Sequence, residues 1–560
     1  MAVPDPLVLA IHEDTNANAA LVRGTEIVAA VAEERISRRK YQAGFPTLAV
    51  AEVLRLGGVR LGEVGAIAAG NRYHFVPRLL GSAAIEGEHD LFGLLHNAWS
   101  VFQSGLRTEG AAARAVEAVS SVMLRHRFGR PVTLHDHHTA HAYSAYYTSG
   151  TDTALAVSVD NLGDGWSARA FRCAGGRVEP LWGSDATGSP GQFYGEISQF
   201  LGFHVLDAGK VTGLAARGDP AAAYPVMERL FSLDPKGPGF RLAPVRSKLW
   251  RRGPFRDLAR FSPAEIAAAA QRRLEDVIVA WVRRGLAETG ARDLVLAGGV
   301  FANVRVNQRL WGLPEVDSIF VHPAMSDQGI AVGAALAHVT TAGPRPPRRI
   351  RDVFLGASYS ESEIGDALED DGLRYERPKD LEAAVADLVA ARKVVARFDG
   401  RMEYGPRALG NRSILASTED AGVNDRLNAR LGRSEFMPFA PSTLAEHAAN
   451  CYLDYGPGAD LTSRFMTITF DCSDWMKAAS PAVVHLDGTA RPQVVHEADS
   501  PSYHRILRLV FERTGVPSVV NTSFNLHGEP IVCSPRDAIR SFGAARLDAL
   551  AIGPFLVRGN

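Results

Sequence analysis

Residues 7–31 read LVLAIHEDTNANAALVRGTEIVAAV, and their pattern decides the fold. The apolar run 7–11 predicts a buried strand, and the polar stretch 13–18 a turn. Residues 19–22 and 26–31 then predict the arms of a hairpin around Arg23 and Gly24. The layout returns in residues 154–181, ALAVSVDNLGDGWSARAFRCAGGRVEPL. Here 154–159 predicts a strand and DNLGDG a turn. Residues 167–172 and 177–181 predict a hairpin around Ala174, Gly175 and Gly176.

A strand, a turn rich in acids or amides and a hairpin, met twice, predict two related α/β halves facing a cleft. That is the plan of the actin-like (ASKHA) superfamily. Further on, Ser262 and Glu265 read as a capping box with Pro263 at the first helical position. Ile266, Ala270, Leu274, Val277, Ile278 and Trp281 continue at helical spacing, and Gly290 marks the stop. DLVLAGGVFAN then reads as a strand, a glycine turn and a helix. The Pro- and Arg-rich stretch TTAGPRPPRRIRD, residues 340–352, reads as a linker. Beyond it come a helix at 381–392, a strand at 394–398, the loop EYGPRALGNRS and the strand PSVVNTSFN.

At 560 residues two or three domains are expected. Lys plus Arg, 61, nearly equals Asp plus Glu, 62, so no net field attracts nucleic acid or an anionic membrane. No apolar run reaches the roughly 18 residues of a membrane helix, and the start lacks the marks of a signal peptide. The four cysteines are scattered without a C-x-x-C pair, which points to a reducing cytoplasm. No feature specifies an oligomeric state.

The densest chemistry is in LHDHHTAHAYSAYY. His137 and His141 lie four apart and share a helix face, so two imidazoles can meet one ion. His138 points elsewhere. Asp160 ends a strand, where its side chain projects into a cleft, and Asp327 opens a small-residue helix. Two imidazoles with two carboxylates suit iron(II) or manganese better than calcium or a closed zinc site. The bland alternatives are histidines that pad a helix and an Asp327 that caps one.

Taken in order, AAVAEERISRRKY, DHHTAHAYSAYY, DAGKVTGLAARGD, LAGGVFANVRVN, SDQGIAVGAA, GRMEYGPRALGNRSILA, MPFAPS and NTSFNLHGEPIV resemble the motifs of the carbamoyltransferase family of nodulation-factor and antibiotic-tailoring enzymes. The resemblance covers nearly the whole chain. It implies an actin-like carbamoyl-transfer domain at 1–340, a linker at 341–352 and a YrdC-like domain at 353–560, whose last residues can pack back onto the first. It also implies a reaction. In the second domain carbamoyl phosphate gives carbamate, which attacks ATP, carried with Mg, to form carbamoyl-adenylate and pyrophosphate. In the first, a divalent metal, iron(II) in the family, assists transfer to a hydroxyl of a small molecule such as a sugar or natural product.

His137, His141, Asp160 and Asp327 match the family's metal ligands, and Lys40 matches a lysine near the adenylate. Gly298, Gly299, Asn303 and Lys210 suit a nucleotide site in the first domain. Arg401, Arg407, Arg412 and Arg430, with Asn521, Ser523 and Asn525 on one strand face, suit carbamoyl phosphate and ATP in the second. One departure stands out: Thr15 and Asn16 occupy the place of the family's His-Asp, whose histidine assists transfer. His12 or Asp14 is then the candidate base beside Thr15. Two other readings follow, an actin-like small-molecule kinase and a catalytically altered nucleotide-binding homologue. Acceptor contacts are expected from residues 73–110 and 233–255.

Overall fold

Both strand–turn–hairpin stretches form sheets, and the two sheets share one topology. The structure, a computed structural model, describes residues 5–73, 105, 110–243, 254–432 and 439–559. The first sheet holds β1 (Leu7–His12), β2 (Asn18–Arg23), β3 (Glu26–Ala32), β4 (Ala66–Ala69) and β5 (Thr133–Leu134), in the order β3-β2-β1-β4-β5. The second holds β6 (Thr153–Gly163), β7 (Trp166–Ala174), β8 (Arg177–Asp185), β11 (Asp293–Ala297) and β12 (Ser318–Val321); β9 (Phe231–Leu233) and β10 (Phe240–Leu242) pair apart from it. Its order, β12-β11-β6-β7-β8, is the same path read from the other edge. In each sheet the first strand runs antiparallel to the second and parallel to the fourth. This duplication is the actin-like α/β plan expected of the N-terminal part.

One prediction changes here. DNLGDG is not all turn: β6 continues to Gly163 through a register shift after Val159, and only Asp164 and Gly165 reverse the chain, both at positive φ.

Small residues set the layer between the sheets. Helix α1 (His137–Ser149) and helix α3 (Ile330–Val339) pack together, and a Cβ on Gly333 would overlap the Ala140 carbonyl. Between them in sequence lies α2 (Pro263–Thr289), with its capping box at Ser262 and Glu265 and its C-cap at Gly290, as its sequence predicts.

The chain forms two compact units, Met1–Ala30 with Gln42–Arg349, and Val31–Tyr41 with Ile350–Asn560. The Pro- and Arg-rich stretch is held along the first unit. Arg345 bridges to Asp5 at 2.9 and 3.0 Å, and the Arg348 N–H donates to the Tyr147 carbonyl at 2.9 Å.

The second unit is a mixed α/β sheet of eight strands. They are β13 (Tyr375–Glu376), β14 (Val395–Phe398), β15 (Arg412–Ser417), β16 (Ala440–Leu444), β19 (Gln493–Val495), β20 (Ser518–Ser523), β21 (Ala549–Ile552) and β22 (Phe555–Arg558). Their order is β13-β22-β21-β14-β15-β20-β16-β19, with β17 (Phe470–Asp471) and β18 (Thr489–Ala490) as a separate pair. The helices Leu381–Ala390 and Pro501–Thr514 cover a core that includes Val385, Val395, Leu415, Leu507 and Val519.

The short helix Glu33–Ser37 is part of this second unit. Arg35 donates to the Gly405 carbonyl at 2.8 Å, and Arg38 to the Ile531 and Pro530 carbonyls at 2.6 and 2.7 Å. The segment carrying Lys40 therefore groups with the C-terminal residues. Among the described residues no helix is long and apolar enough to cross a membrane.

Candidate active site

Three elements of the first unit meet at one point. His137 and His141 lie on the first turns of α1, Asp160 in β6, and Asp327 in the short turn before α3. One ligand atom from each lies within 4.8 Å of all the others. His141 Nε2 is 3.2 Å from Asp160 Oδ2 and 3.6 Å from Asp327 Oδ1; His137 Nε2 is 3.7 Å from the same Asp327 oxygen. These are separations between donors that can share one ion.

Several local devices hold them there. Asp136 caps α1 by accepting the Thr139 N–H at 2.8 Å, and Arg169 pairs with it at 3.1 Å. The Asp164 carboxylate accepts the His137 N–H at 2.9 Å. His137 Nδ1 donates to Asn71 Oδ1 at 2.9 Å, which leaves Nε2 with its lone pair toward the cluster. Gly299 N–H donates to Asp160 Oδ2 at 2.9 Å. Asn18 binds the Asp327 carbonyl at 2.8 Å and accepts the Ala331 N–H at 3.3 Å, tying β2 to the start of α3.

The electrostatics match a site built for a cation. Burial pushes His137 down to about 3, so it is neutral. Burial opposes the charge on His141 too, but Asp160 and Asp327 outweigh it and raise it to about 9. Burial also works against the Asp327 carboxylate, yet His12 and His141 hold it well below the usual range. His137 Nε2 and Asp327 Oδ1 are buried with no hydrogen-bond partner among the described residues. Buried polar atoms left so are rare unless something binds them. The set fits a divalent ion with nitrogen and oxygen ligands.

The bland alternatives have other occupants. His138 is the padding histidine, bonded to Ser158 Oγ at 2.8 Å and to the Trp166 carbonyl at 3.0 Å. Asp327 makes no side-chain cap; its carboxylate turns to the histidines.

Gly163 is the neighbour with the least freedom. A Cβ there would overlap the His137 ring, while its backbone angles lie outside the left-handed region. Gly163→Ala is therefore expected to displace the imidazole without straining the chain. Divalent-metal affinity should fall by at least about 10-fold, the lower end for disturbed ligand orientation, with the circular dichroism spectrum unchanged. Isothermal titration checks it.

Other predicted residues fall into different settings. His12, ending β1, is fully buried beside the cluster, with Nε2 3.8 Å from Asp327 Oδ2. Asp14 instead accepts the Thr15 N–H at 2.7 Å. Lys210 pairs with Asp207 at 2.8 Å. Asn303 is held in a buried network by Gln271 at 2.9 and 3.0 Å and caps the next helix. Gly298 has φ +103°, and a Cβ there would overlap the Val159 carbonyl, so the glycine pair presses β6 and its Asp160 against the loop. Lys40 is exposed, its Nζ 4.8 Å above the Tyr41 ring.

In the second unit the predicted arginines separate. Arg412 is fully buried, donates to the carbonyls of Asp399, Asn411, Ala357 and Gly400, and stacks on Phe398 at 3.7 Å. Its charge organises the loop, not a ligand. Arg401 donates to the Leu355 and Gly356 carbonyls at 2.6 and 3.3 Å, and Arg430 pairs with Asp548 at 3.1 Å. Asn521 and Ser523 alternate on β20, but Asn525 lies past the strand end, where its amide bonds the Leu526 and Glu529 carbonyls. Asn521 is itself held by Gln493 at 2.8 Å and Ser442 at 3.0 Å.

Arg407 is different. Burial lowers it to about 10, and its Nε has no partner among the described residues. Arg491, which the sequence reading missed, is held well below its ordinary value by burial and by the charge of Arg407. Two half-buried cations close enough to repel, neither with an ion pair among the described residues, favour an anion beside them. Glu403 shapes the loop that carries Arg407: its Oε1 accepts the N–H groups of Leu409, Asn411 and Arg412 at 2.8, 2.9 and 3.1 Å. Asn71, Asp164 and Glu403 carry no local sequence signal. Asp136, directly before a helix, is a readable N-cap. The expected acceptor stretches, 73–110 and 233–255, lie largely outside the described residues.

Comparison with known proteins identifies the family. Two family models match, "Carbamoyltransferase N-terminus" over residues 10–336 and "Carbamoyltransferase C-terminus" over residues 386–559. The chain is 33% identical to nodulation protein NolNO of Sinorhizobium fredii over 96% of its own length and 78% of that protein. It is 30% identical to a 3'-hydroxymethylcephem-O-carbamoyltransferase of Streptomyces clavuligerus over 62% of this chain and 64% of that one. Among solved structures it is similar to T. kodakarensis HypF, at 14% identity and a TM-score of 0.37, covering 61% of this chain and 49% of that one. With both family models covering it nearly end to end, the chain belongs to the carbamoyltransferase family.

Proposed function

We propose that the protein is an ATP-dependent O-carbamoyltransferase acting on a hydroxyl of a small molecule. The observation that carries the reading is the convergence of His137, His141, Asp160 and Asp327 in a chain of this family. In the first half-reaction water cleaves carbamoyl phosphate to carbamate and inorganic phosphate. The carbamate oxygen attacks the α-phosphorus of ATP, and pyrophosphate leaves. Arg407 and Arg491 supply fixed positive charge and donors for those anions. Lys40, on the segment that groups with this unit, is free to reach the adenylate phosphate.

In the second half-reaction the hydroxyl oxygen attacks the carbamoyl carbon, its proton passes to a base of the chain, and AMP leaves. His137, His141, Asp160 and Asp327 would hold a divalent ion, iron(II) by resemblance, which when bound supplies Lewis-acid polarisation of carbamoyl or phosphate oxygen. Neutral His137, oriented by Asn71, and the anchored Asp160 keep that site preorganised. The relative named for a hydroxymethylcephem suggests an alcohol on a natural product as the acceptor class.

The test uses purified protein, ATP, Mg and carbamoyl phosphate. Pyrophosphate release that requires carbamoyl phosphate, and gain of one carbamoyl group on an alcohol by mass spectrometry, are the expected results. ATP consumption independent of carbamoyl phosphate, or a phosphorylated product, overturns the reading.

A further inference from the structure

We propose that His12 is a positioning residue of the metal centre, one that holds the outer oxygen of Asp327 while the inner oxygen faces the ion. The inference rests on the metal reading above. His12 is the last residue of β1, paired in register with Asn18, so its backbone is fixed by the sheet. Its side chain is fully buried, and neither ring nitrogen has a hydrogen-bond partner among the described residues.

Among the described residues its ion-pair partner is Asp327. His12 Nε2 lies 3.8 Å from Oδ2, whereas His137 and His141 lie 3.7 and 3.6 Å from Oδ1. The carboxylate is thus divided, one oxygen to the cluster and one to His12. The His12 ring stands edge-on to His137, centroids 6.1 Å apart, on the cluster's flank. Closing 3.8 Å to an ordinary hydrogen bond of about 2.9 Å takes a movement of under about 1 Å.

Packing alone does not explain this residue. A buried imidazole with both nitrogens unsatisfied costs folding free energy, and a leucine would fill much the same space without that cost. Nor does the loop beyond it offer a substitute, because Thr15 is turned to Asp14 through its N–H at 2.7 Å. A partner on the far oxygen fixes the carboxylate's orientation and its readiness to bind a cation.

The test titrates cobalt(II), as a spectroscopic probe, into wild type, His12→Leu and His12→Gln, and records the circular dichroism spectrum of each metal-free protein. His12→Leu should keep the fold, read as an unchanged circular dichroism spectrum, yet bind cobalt(II) about 10–100-fold more weakly. His12→Gln keeps an N–H donor and should recover most of the affinity, with the number of nitrogen ligands unchanged in pulsed EPR of all three. Affinity lost with leucine and restored by the donor-bearing glutamine is what a purely structural histidine would not give. Unchanged affinity in His12→Leu overturns the proposal, and so does loss of a nitrogen ligand, which would make His12 a ligand itself. If wild type fails to bind cobalt(II), it is the metal reading that fails.

Discussion

His141→Ala should abolish stoichiometric binding of a divalent ion, and carbamoyl transfer with it, while pyrophosphate release driven by carbamoyl phosphate continues. His141 is the only one of the four that lies close to both carboxylates, at 3.2 Å from Asp160 and 3.6 Å from Asp327, and it is fully buried. Its removal takes a ligand and leaves two carboxylates facing each other without a cation between them. The loss should exceed the roughly 10–100-fold typical of an outer-shell partner. Metal content of the purified variant, read beside pyrophosphate release, checks both halves. If His141→Ala holds metal as wild type does, the cluster is not a metal site.

The same residue sets a pH dependence. His141 is raised to about 9, so in the metal-free protein it carries the charge that holds Asp160 and Asp327. A raised pKa means that this contribution to stability is fully present below about 6.5, the ordinary histidine value, and is lost as pH rises toward 9. His137, lowered to about 3, acts on the other side: its contribution is present above about 6.5 and is lost as pH falls toward 3. Metal-free protein should therefore lose stability from both residues' titrations on moving away from about pH 6.5 in either direction. Metal binding must expel the His141 proton, so between pH 6.5 and 9 affinity should rise about ten-fold per pH unit. The two trends run in opposite directions on the alkaline side. A metal affinity flat across that range would contradict the shared His141.

The recurrence of strand, turn and hairpin made the duplicated fold legible, because alternation and glycine turns are local signals. The four-residue cluster was legible for a similar reason: His137 and His141 share a helix face, Asp160 follows an apolar strand run, and Asp327 opens a short turn before a helix. What holds them was not. Asn71, Asp164 and Gly163 act across distances in sequence that only the folded chain closes. Residue type misled most where one type has two uses. Arg412 and Arg407 sit in one motif with one expected role, yet four carbonyls surround Arg412, whereas Arg407 Nε has no partner among the described residues. Asn303, expected at a nucleotide, is engaged by Gln271 from a helix about thirty residues earlier in the chain. Counting partners, which needs coordinates, separates a ligand-binding side chain from a structural one.

That separation gives the second large effect. Arg407→Ala and Arg491→Ala should each raise the KM for carbamoyl phosphate by about 10–100-fold, the value of a charge-assisted hydrogen bond of about 1.5–3 kcal/mol. The ligand-free variants should melt no lower than wild type, because each substitution removes a cation withdrawn from water beside a like charge. Arg412→Ala should do the reverse. It strips four carbonyls of their donor and opens a cavity against Phe398, so a loss of about 3 kcal/mol or more of stability is expected. Cobalt(II) binding should be unaffected in Arg407→Ala and Arg491→Ala, since the four clustered side chains proposed to hold the ion belong to the first unit. Should Arg407→Ala and Arg491→Ala lose stability as Arg412→Ala does while keeping their KM, the pair is structural and the anion pocket must be sought elsewhere in the unit.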